Sequence, residues 1–236
     1  MRYSIIVPTL NHLDDCLRPC LESIRRYTDL SDVGDLEGRG VEILVVANGC
    51  TDGTREYVES LGAPFRLLWF DEPLGYAGAN NRGVEMATGE FIVLLNNDTV
   101  LLEQPVNQWL DVLVKPFLDD PFMGVTGPSK QYSPPAGRTF IIFFCAMTTR
   151  ALYDRLKLSE DYFPGGGEDS EFCFEAEKLG YKVVAVPGDP TYHAGPFIVG
   201  NFPIYHRAEA TMNDFPNWQQ IFDDNSRKLA AKYNGG

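Results

Sequence analysis

Through its first half the chain alternates two kinds of pattern, and this alternation narrows the folds open to it more than any other feature. The runs "YSIIVPTL" (residues 3–10) and "VEILVVAN" (residues 41–48) are short, β-branched and almost continuously apolar, as strands buried on both faces must be. Between them, "LDDCLRPCLESIRRYT" sets Leu13, Leu17, Cys20, Leu21 and Ile24 at helical spacing, with Asn11 or Asp14 placed to cap the helix. After the second run, "TDGTREYVESLG" repeats the logic, with Thr51 or Asp52 as cap and Gly62 as the stop. The strand "FRLLWF", the glycine-punctuated helix "YAGANNRGVEMATG" and the strand "EFIVLLN" follow. Strand and helix in turn predict an α/β fold with a mostly parallel central sheet, right-handed crossovers and flanking helices.

The second half is less regular. "WLDVLVKPFLDD" reads as a helix ending near Pro116, "MGVTGPSKQY" as a strand running into a loop, and "PPAG" as a turn. "RTFIIFFCAMTTRALYDRL" reads as one strand passing into a helix. "GGGEDSEFCFEAEKLGY" is a glycine loop opening a helix, with Asp169 or Ser170 near its start and Gly180 at its end, and "KVVAVPG" is another strand. The tail beyond residue 200 is polar and aromatic and finishes in a helix. With 236 residues, no repeat and no low-complexity linker, one large domain with an extension is expected.

A formal net charge of −13 argues against a broad basic surface for nucleic acid or an anionic bilayer. A local anion site is compatible with it, if a cation or backbone N–H groups supply the positive charge. The five cysteines are odd in number and lack metal-type spacing, which predicts reduced thiols in a cytoplasmic protein. No segment has the length of a signal-peptide core or a membrane-spanning helix. Peripheral association with a membrane-bound partner stays open.

In an open α/β sheet, ligands bind where the carboxyl ends of the strands meet loops and helix N-termini. That rule selects residues 8–11, 48–54 and 96–99, which are all polar and all follow apolar runs. "ANGCTDGT" offers small residues and hydroxyls before a helix, suited either to a nucleotide or to turn and cap duty. In "FIVLLNNDTV" an extended chain would aim Asn96 and Asp98 one way and Asn97 the other. Oxygen ligands there suit a hard divalent ion shared with a diphosphate. In "GGGEDSEF" the glycines permit unusual backbone and close approach of a substrate. Glu168 and Asp169 stand at a helix start, where an ionised carboxylate can take a proton from a hydroxyl or simply cap the helix. His193, in "PTYHAGP", follows the strand "KVVAV" at the same end of the sheet; its imidazole can be a ligand or a residue without special role.

Taken in order, "SIIVPTLN", "VVANGCTDGT", "GYAGANNRGVEMATGEFIVLLNNDT", "GGGEDSEFCFEAEKLGYKVVAVPG" and "YHAG" resemble the inverting glycosyltransferases of family 2, nearest the bacterial rhamnosyltransferase-like branch. The resemblance runs over residues 3–195. It implies a GT-A nucleotide-diphospho-sugar transferase fold in residues 1–200, with a nucleotide-binding half to about residue 100, an acceptor-binding half beyond it, and a C-terminal extension with a helix in residues 201–236. It also implies a metal-dependent transfer to the hydroxyl of a glycan or glycolipid. Asp98 resembles the family's metal ligand for Mn2+ or Mg2+, His193 the histidine that joins it, Asp169 the catalytic base, and Glu168 a residue of acceptor binding or loop support. Pro8, Thr9, Asn11, Asn48, Asp52, Gly78, Asn80, Asn81, Asn96 and Asn97 fall at positions that line the nucleotide sugar. Ala47 departs from the pattern, because the family usually has an Asp there for the base; recognition would pass to Thr9, Asn48, Asp52 or the backbone. Two other readings are a nucleotidyltransferase, whose glycine-rich triphosphate loop "IIVPTLNH" lacks, and a catalytically silent carbohydrate-binding relative.

Overall fold

In the computed structural model, which describes residues 2–31, 40–134, 136–187, 197–199, 202–208 and 214–233, the apolar runs form strands with helices between them. The elements are β1 (Arg2–Thr9), α1 (Arg18–Tyr27), β2 (Gly40–Asn48), α2 (Thr54–Leu61), β3 (Phe65–Phe70), α3 (Gly75–Met86), β4 (Phe91–Leu95) and β5 (Thr99–Leu101). They continue as α4 (Gln108–Asp119), β6 (Met123–Gly127), β7 (Lys130–Ser133), β8 (Arg138–Ile141), β9 (Cys145–Thr149), α5 (Arg150–Leu156), α6 (Glu168–Lys178), β10 (Lys182–Ala185), β11 (Phe197–Val199), β12 (Phe202–His206) and α7 (Trp218–Tyr233). Among the described residues no helix is long and apolar enough to cross a membrane.

The main sheet has seven strands in the order β10-β6-β9-β4-β1-β2-β3. All neighbours run parallel except β9, which is antiparallel to both β4 and β6. The chain builds outward from β1 through β2 to β3 and then returns to β1's other side as β4. That reversal between β1 and β4 is the switch point outside which α/β sheets hold their ligands. Continuous apolarity is explained by two cores, one on each face. Ile5, Val7, Val45 and Val93 pack with Leu17 and Trp109, while the alternate residues Ile6, Leu44 and Leu94 pack with Ala79 and Phe172.

Four local expectations are corrected. α4 runs through Pro116 to Asp119, because the ring removes one donor while the Pro116 carbonyl still accepts from Asp120 N at 3.0 Å. "RTFIIFFCAMTT" is two strands: β8 pairs with β7 as a hairpin, and β9 crosses into the main sheet. Neither Asn11 nor Asp14 caps the first helix, which is entered through a wide turn at Leu13–Leu17. Gly167, with φ of 137°, occupies the cap position of α6 instead of Asp169 or Ser170. The tail contributes more than its terminal helix: β12 pairs with β5, and β11 with β12, in a three-stranded sheet. All five cysteines are free and buried.

Candidate active site

The loops after β1 and β2 and the turn after β4 are laced together by their own polar side chains. Thr9 Oγ1 donates to Asn11 O (3.2 Å) and accepts from Asn97 Nδ2 (2.9 Å). Asn11 Oδ1 accepts from Thr51 N at 2.8 Å. Asn48 donates to Thr9 O at 2.8 Å and accepts from Leu74 N at 3.0 Å. Asp52 takes Thr54 Oγ1 at 2.6 Å on one oxygen and Leu13 N at 3.1 Å on the other. Asn81 is spent wholly inside the protein, donating to Leu158 O and Glu160 Oε1 and accepting from Tyr153 Oη and Leu158 N. At Gly78 a Cβ would lie 3.1 Å from Leu74 Cβ, so this glycine leaves room for the residue that caps α3. Pro8 is buried in β1, paired with Val46. These residues thus spend their side chains on tying the loops to one another and to α3. Ala47 itself is wholly buried.

Residues 96–99 form a turn in which Thr99 N reaches Asn96 O at 3.3 Å, so the alternation expected of an extended chain does not apply. Asn97 turns to Thr9, and Asn96 is pinned by its N–H to Phe144 O at 2.8 Å. Asp98 is 7% exposed and meets His206, whose claim from sequence was weaker than that of His193. His206 Nε2 stands 3.3 Å from Asp98 Oδ1. The two atoms are not aligned for a hydrogen bond, and neither has a hydrogen-bond partner among the described residues. The strand ladder explains the meeting: Thr99 of β5 is opposite His206 of β12, and Arg207 N donates to Asp98 O at 3.0 Å. The imidazole lies flat on the Phe144 ring, with centroids 4.2 Å apart and planes 11° apart. A signal was present in "FPIYH": Phe202 and Ile204 are buried, and period-two alternation places His206 on their face. His193 lies outside the described residues.

Among the described residues nine buried side-chain N or O atoms lack a hydrogen-bond partner, and Asn80 Oδ1, Asn96 Oδ1, Asp98 Oδ1, Glu168 Oε2 and His206 Nε2 are among them. Buried polar groups in folded proteins are normally satisfied, so the adjacent Asp98 and His206 atoms mark a place shaped for a ligand. Two ligands at ~2.1 Å and right angles on an octahedral ion would be ~3 Å apart, close to the Asp98–His206 spacing. The chemistry of this donor pair, one carboxylate oxygen and one imidazole nitrogen, fits a divalent ion of the Mn2+ or Mg2+ kind.

On the other side of the crevice, α6 opens on Glu168 and Asp169. Desolvation lifts both carboxyls, Glu168 the further because it also faces the Asp169 charge: Glu168 to about 8 and Asp169 to about 6. Asp169 is held lower by Ser170 N, which donates to its Oδ1 at 2.7 Å, and by the Phe143 backbone. Both carboxyls are therefore more basic than an ordinary carboxylate, Glu168 the more so. The glycine loop before them is not opened for substrate alone: a Cβ on Gly167 would lie 2.7 Å from the Tyr162 ring. Adjacent residues tie the two halves together, since the Phe143 backbone touches Asp169 while Phe144 holds Asn96 and stacks on His206.

A second group, His12, Asp15 and Cys16, also brings ligand-type atoms together. It carries its own cation: Arg207 NH1 donates to Asp15 Oδ2 at 2.6 Å and reaches Cys16 Sγ at 3.5 Å. Burial and the Asp15 charge push the Cys16 thiol up to about 11. His12 Nε2 contacts Asp214 Oδ2 at 2.8 Å. Burial pulls the His12 pKa down, but Asp214 and Asp15 outweigh it and the pKa ends raised. The group is a clasp between the first loop and the tail.

A mostly parallel sheet whose strand order reverses between β1 and β4, with an acidic turn at the end of β4, is the architecture of the GT-A class of nucleotide-sugar transferases. The profile of glycosyl transferase family 2 matches residues 4–161, and the chain belongs to that family. It is 36% identical over 105 residues to a PGL/p-HBAD biosynthesis glycosyltransferase of Mycobacterium bovis, covering 43% of this chain and 37% of the relative. It is 29% identical over 111 residues to the glycosyltransferase AglE of Haloferax volcanii, covering 46% and 33%. The matched stretch thus spans only 33% and 37% of the length of these curated relatives. The mannosyltransferase PcManGT from Pyrobaculum calidifontis, solved with GDP-Man and Mn2+, has a similar fold, with a TM-score of 0.63 and 21% identity over 99% of this chain and 75% of that one.

Proposed function

We propose that this chain moves a sugar from a nucleotide-diphosphate donor to an acceptor hydroxyl by a single in-line displacement that inverts the anomeric carbon. The observation that carries the reading is the pairing of unsatisfied Asp98 and His206 with a raised Asp169 carboxylate, bridged by the adjacent residues Phe143 and Phe144. Asp169 takes the proton from the acceptor hydroxyl as that oxygen attacks. Glu168, the more basic of the two carboxyls, serves the acceptor or the loop. The laced loops around Thr9, Asn48 and Asn97 hold the nucleotide in one orientation, so much of the acceleration is alignment. Asp98 and His206 are the residues that would hold a Mn2+ or Mg2+ ion, and such an ion would supply positive charge for the departing diphosphate. The relative of similar fold solved with GDP-Man and Mn2+ supports a donor and an ion of these kinds. Polysaccharide or glycan assembly is the setting that such a reaction serves.

Isothermal titration of UDP and GDP with and without manganese tests the reading, followed by a panel of nucleotide sugars scored for metal-dependent hydrolysis by mass spectrometry. Asp98→Asn and His206→Ala should each weaken manganese-dependent nucleotide binding at least ~10-fold. Nucleotide binding indifferent to manganese would sink the metal assignment. A loss in His193→Ala with none in His206→Ala would move the imidazole ligand to His193.

A further inference from the structure

Four aromatic rings cluster along the glycine loop that leads into Glu168 and Asp169. Phe163 and Phe222 are 52% and 43% exposed, unusual for phenylalanine. Phe163 meets Phe215 edge-on at 6.3 Å, and Trp218 meets Phe222 at 5.8 Å with planes 56° apart. Their place beside the loop is fixed on both sides. Phe163 packs on Gly75 at the start of α3, where an added Cβ would lie 2.8 Å from its ring. On the other side a Cβ on Gly166 would lie 3.1 Å from Phe222 and 3.6 Å from Trp218. α7 is pinned there by Asn225, whose amide donates to Tyr162 O at 3.0 Å and Gly165 O at 2.9 Å. Gly166 is three residues before Asp169, and three Cα–Cα steps of ~3.8 Å keep the two within about 11 Å.

We propose that this aromatic ledge, centred on Trp218 and Phe222, is the acceptor subsite, and that it takes a neutral hexopyranose ring whose apolar face stacks on the indole and phenyl rings. The inference rests on the transferase reading, because an acceptor hydroxyl must reach Asp169. Aromatic faces are what small-ligand sites use to hold an amphipathic ring, and on α7 the exposed Gln219 and Asp223, bonded to each other at 3.2 Å, lie one residue beyond Trp218 and Phe222. Charge decides against a phosphorylated lipid on the ledge. The nearby cation Lys228 is engaged with Asp161 O and Asn225 Oδ1, Asp161 and Asp223 are exposed, and the chain's formal charge is −13.

Saturation-transfer NMR on the intact chain tests the ledge, with methyl α- and β-hexopyranosides of gluco, galacto, manno and 6-deoxymanno configuration as probes and farnesyl phosphate in a separate arm. At least one glycoside should receive saturation on its ring protons. Trp218→Ala and the milder Phe222→Ser should each cut that signal about fivefold or more. Circular dichroism shows whether Trp218→Ala has folded; if it has not, Phe222→Ser, at an exposed position, carries the test. No glycoside signal, a signal unchanged in the folded ledge variants, or binding of farnesyl phosphate alone overturns the proposal. Nucleotide-sugar hydrolysis separates the two readings. Hydrolysis without glycoside binding removes only the ledge. Ledge-dependent glycoside binding without hydrolysis removes the transferase reading and leaves a saccharide site.

Discussion

Asp169 must be ionised to accept a proton, yet basic enough to want one. A carboxyl at about 6 meets both conditions near neutral pH. The sign follows directly: kcat/KM for transfer should rise with pH as Asp169 deprotonates, with a midpoint near 6, and fall below it. Asp169→Asn should leave donor titration unchanged, lower kcat by ~10²–10⁴-fold and abolish that acid limb. A variant that transfers sugar at the normal rate would remove Asp169 from the mechanism. At this scale residue type alone singles out Asp98, Glu168 and Asp169, and the structure sets Asp98 beside His206 and the other two at the start of α6. The sequence was least readable for Asn48, Asp52 and Asn81. Amides and carboxylates serve ligands and loops equally well, and only the hydrogen-bond partners show that these three are occupied with the protein itself.

Secondary elements of the first half were legible because each buries alternate residues against a helix on either face, leaving continuous apolar runs. The second half was harder because its strands β7, β8 and β12 pair over long sequence separations or as short hairpins, where local pattern carries little information. α7 is the clearest case: its helical period was visible, but nothing in it announced that Asn225 would hold the glycine loop. Asn225 is 1% exposed, and its amide satisfies two carbonyls. Asn225→Ala should orphan both and cost about 1–3 kcal/mol, read as a lower urea midpoint with unchanged slope. It should also loosen the loop ahead of Asp169 and lower kcat more than it raises donor KM. An unchanged midpoint would mean that the helix is held by other contacts.

For the whole molecule, Glu42 joins more of the sheet than any apolar contact suggests. One of its oxygens accepts from Ser4 Oγ on β1 and from Thr88 N and Oγ1 before β4, and the other from Arg66 on β3. Burial pushes its pKa up, but these donors outweigh that and hold it below 4.5. Glu42→Ala should therefore cost about 2–4 kcal/mol at neutral pH, mostly by leaving Ser4 and Thr88 groups unpaired. The gap between wild type and variant should narrow on acidification below 4.5, because a depressed carboxyl lends its stability above that range and loses it as protons bind in the native state. A gap constant from pH 7 to pH 3 would mean that the carboxylate charge contributes nothing.

The β5–β12 ladder also sets an order of events. Asp98 and His206 become neighbours only when a late strand docks beside an early one, whereas each pair of neighbouring strands in the main sheet can form before β12 has left the ribosome. On the proposed reading, an ion held by Asp98 and His206 would therefore be a late passenger, captured by a scaffold already built, unlike the metals of small domains that have no fold without them. In a cell short of manganese, a chain of that kind would accumulate as folded apoprotein, waiting for the ion.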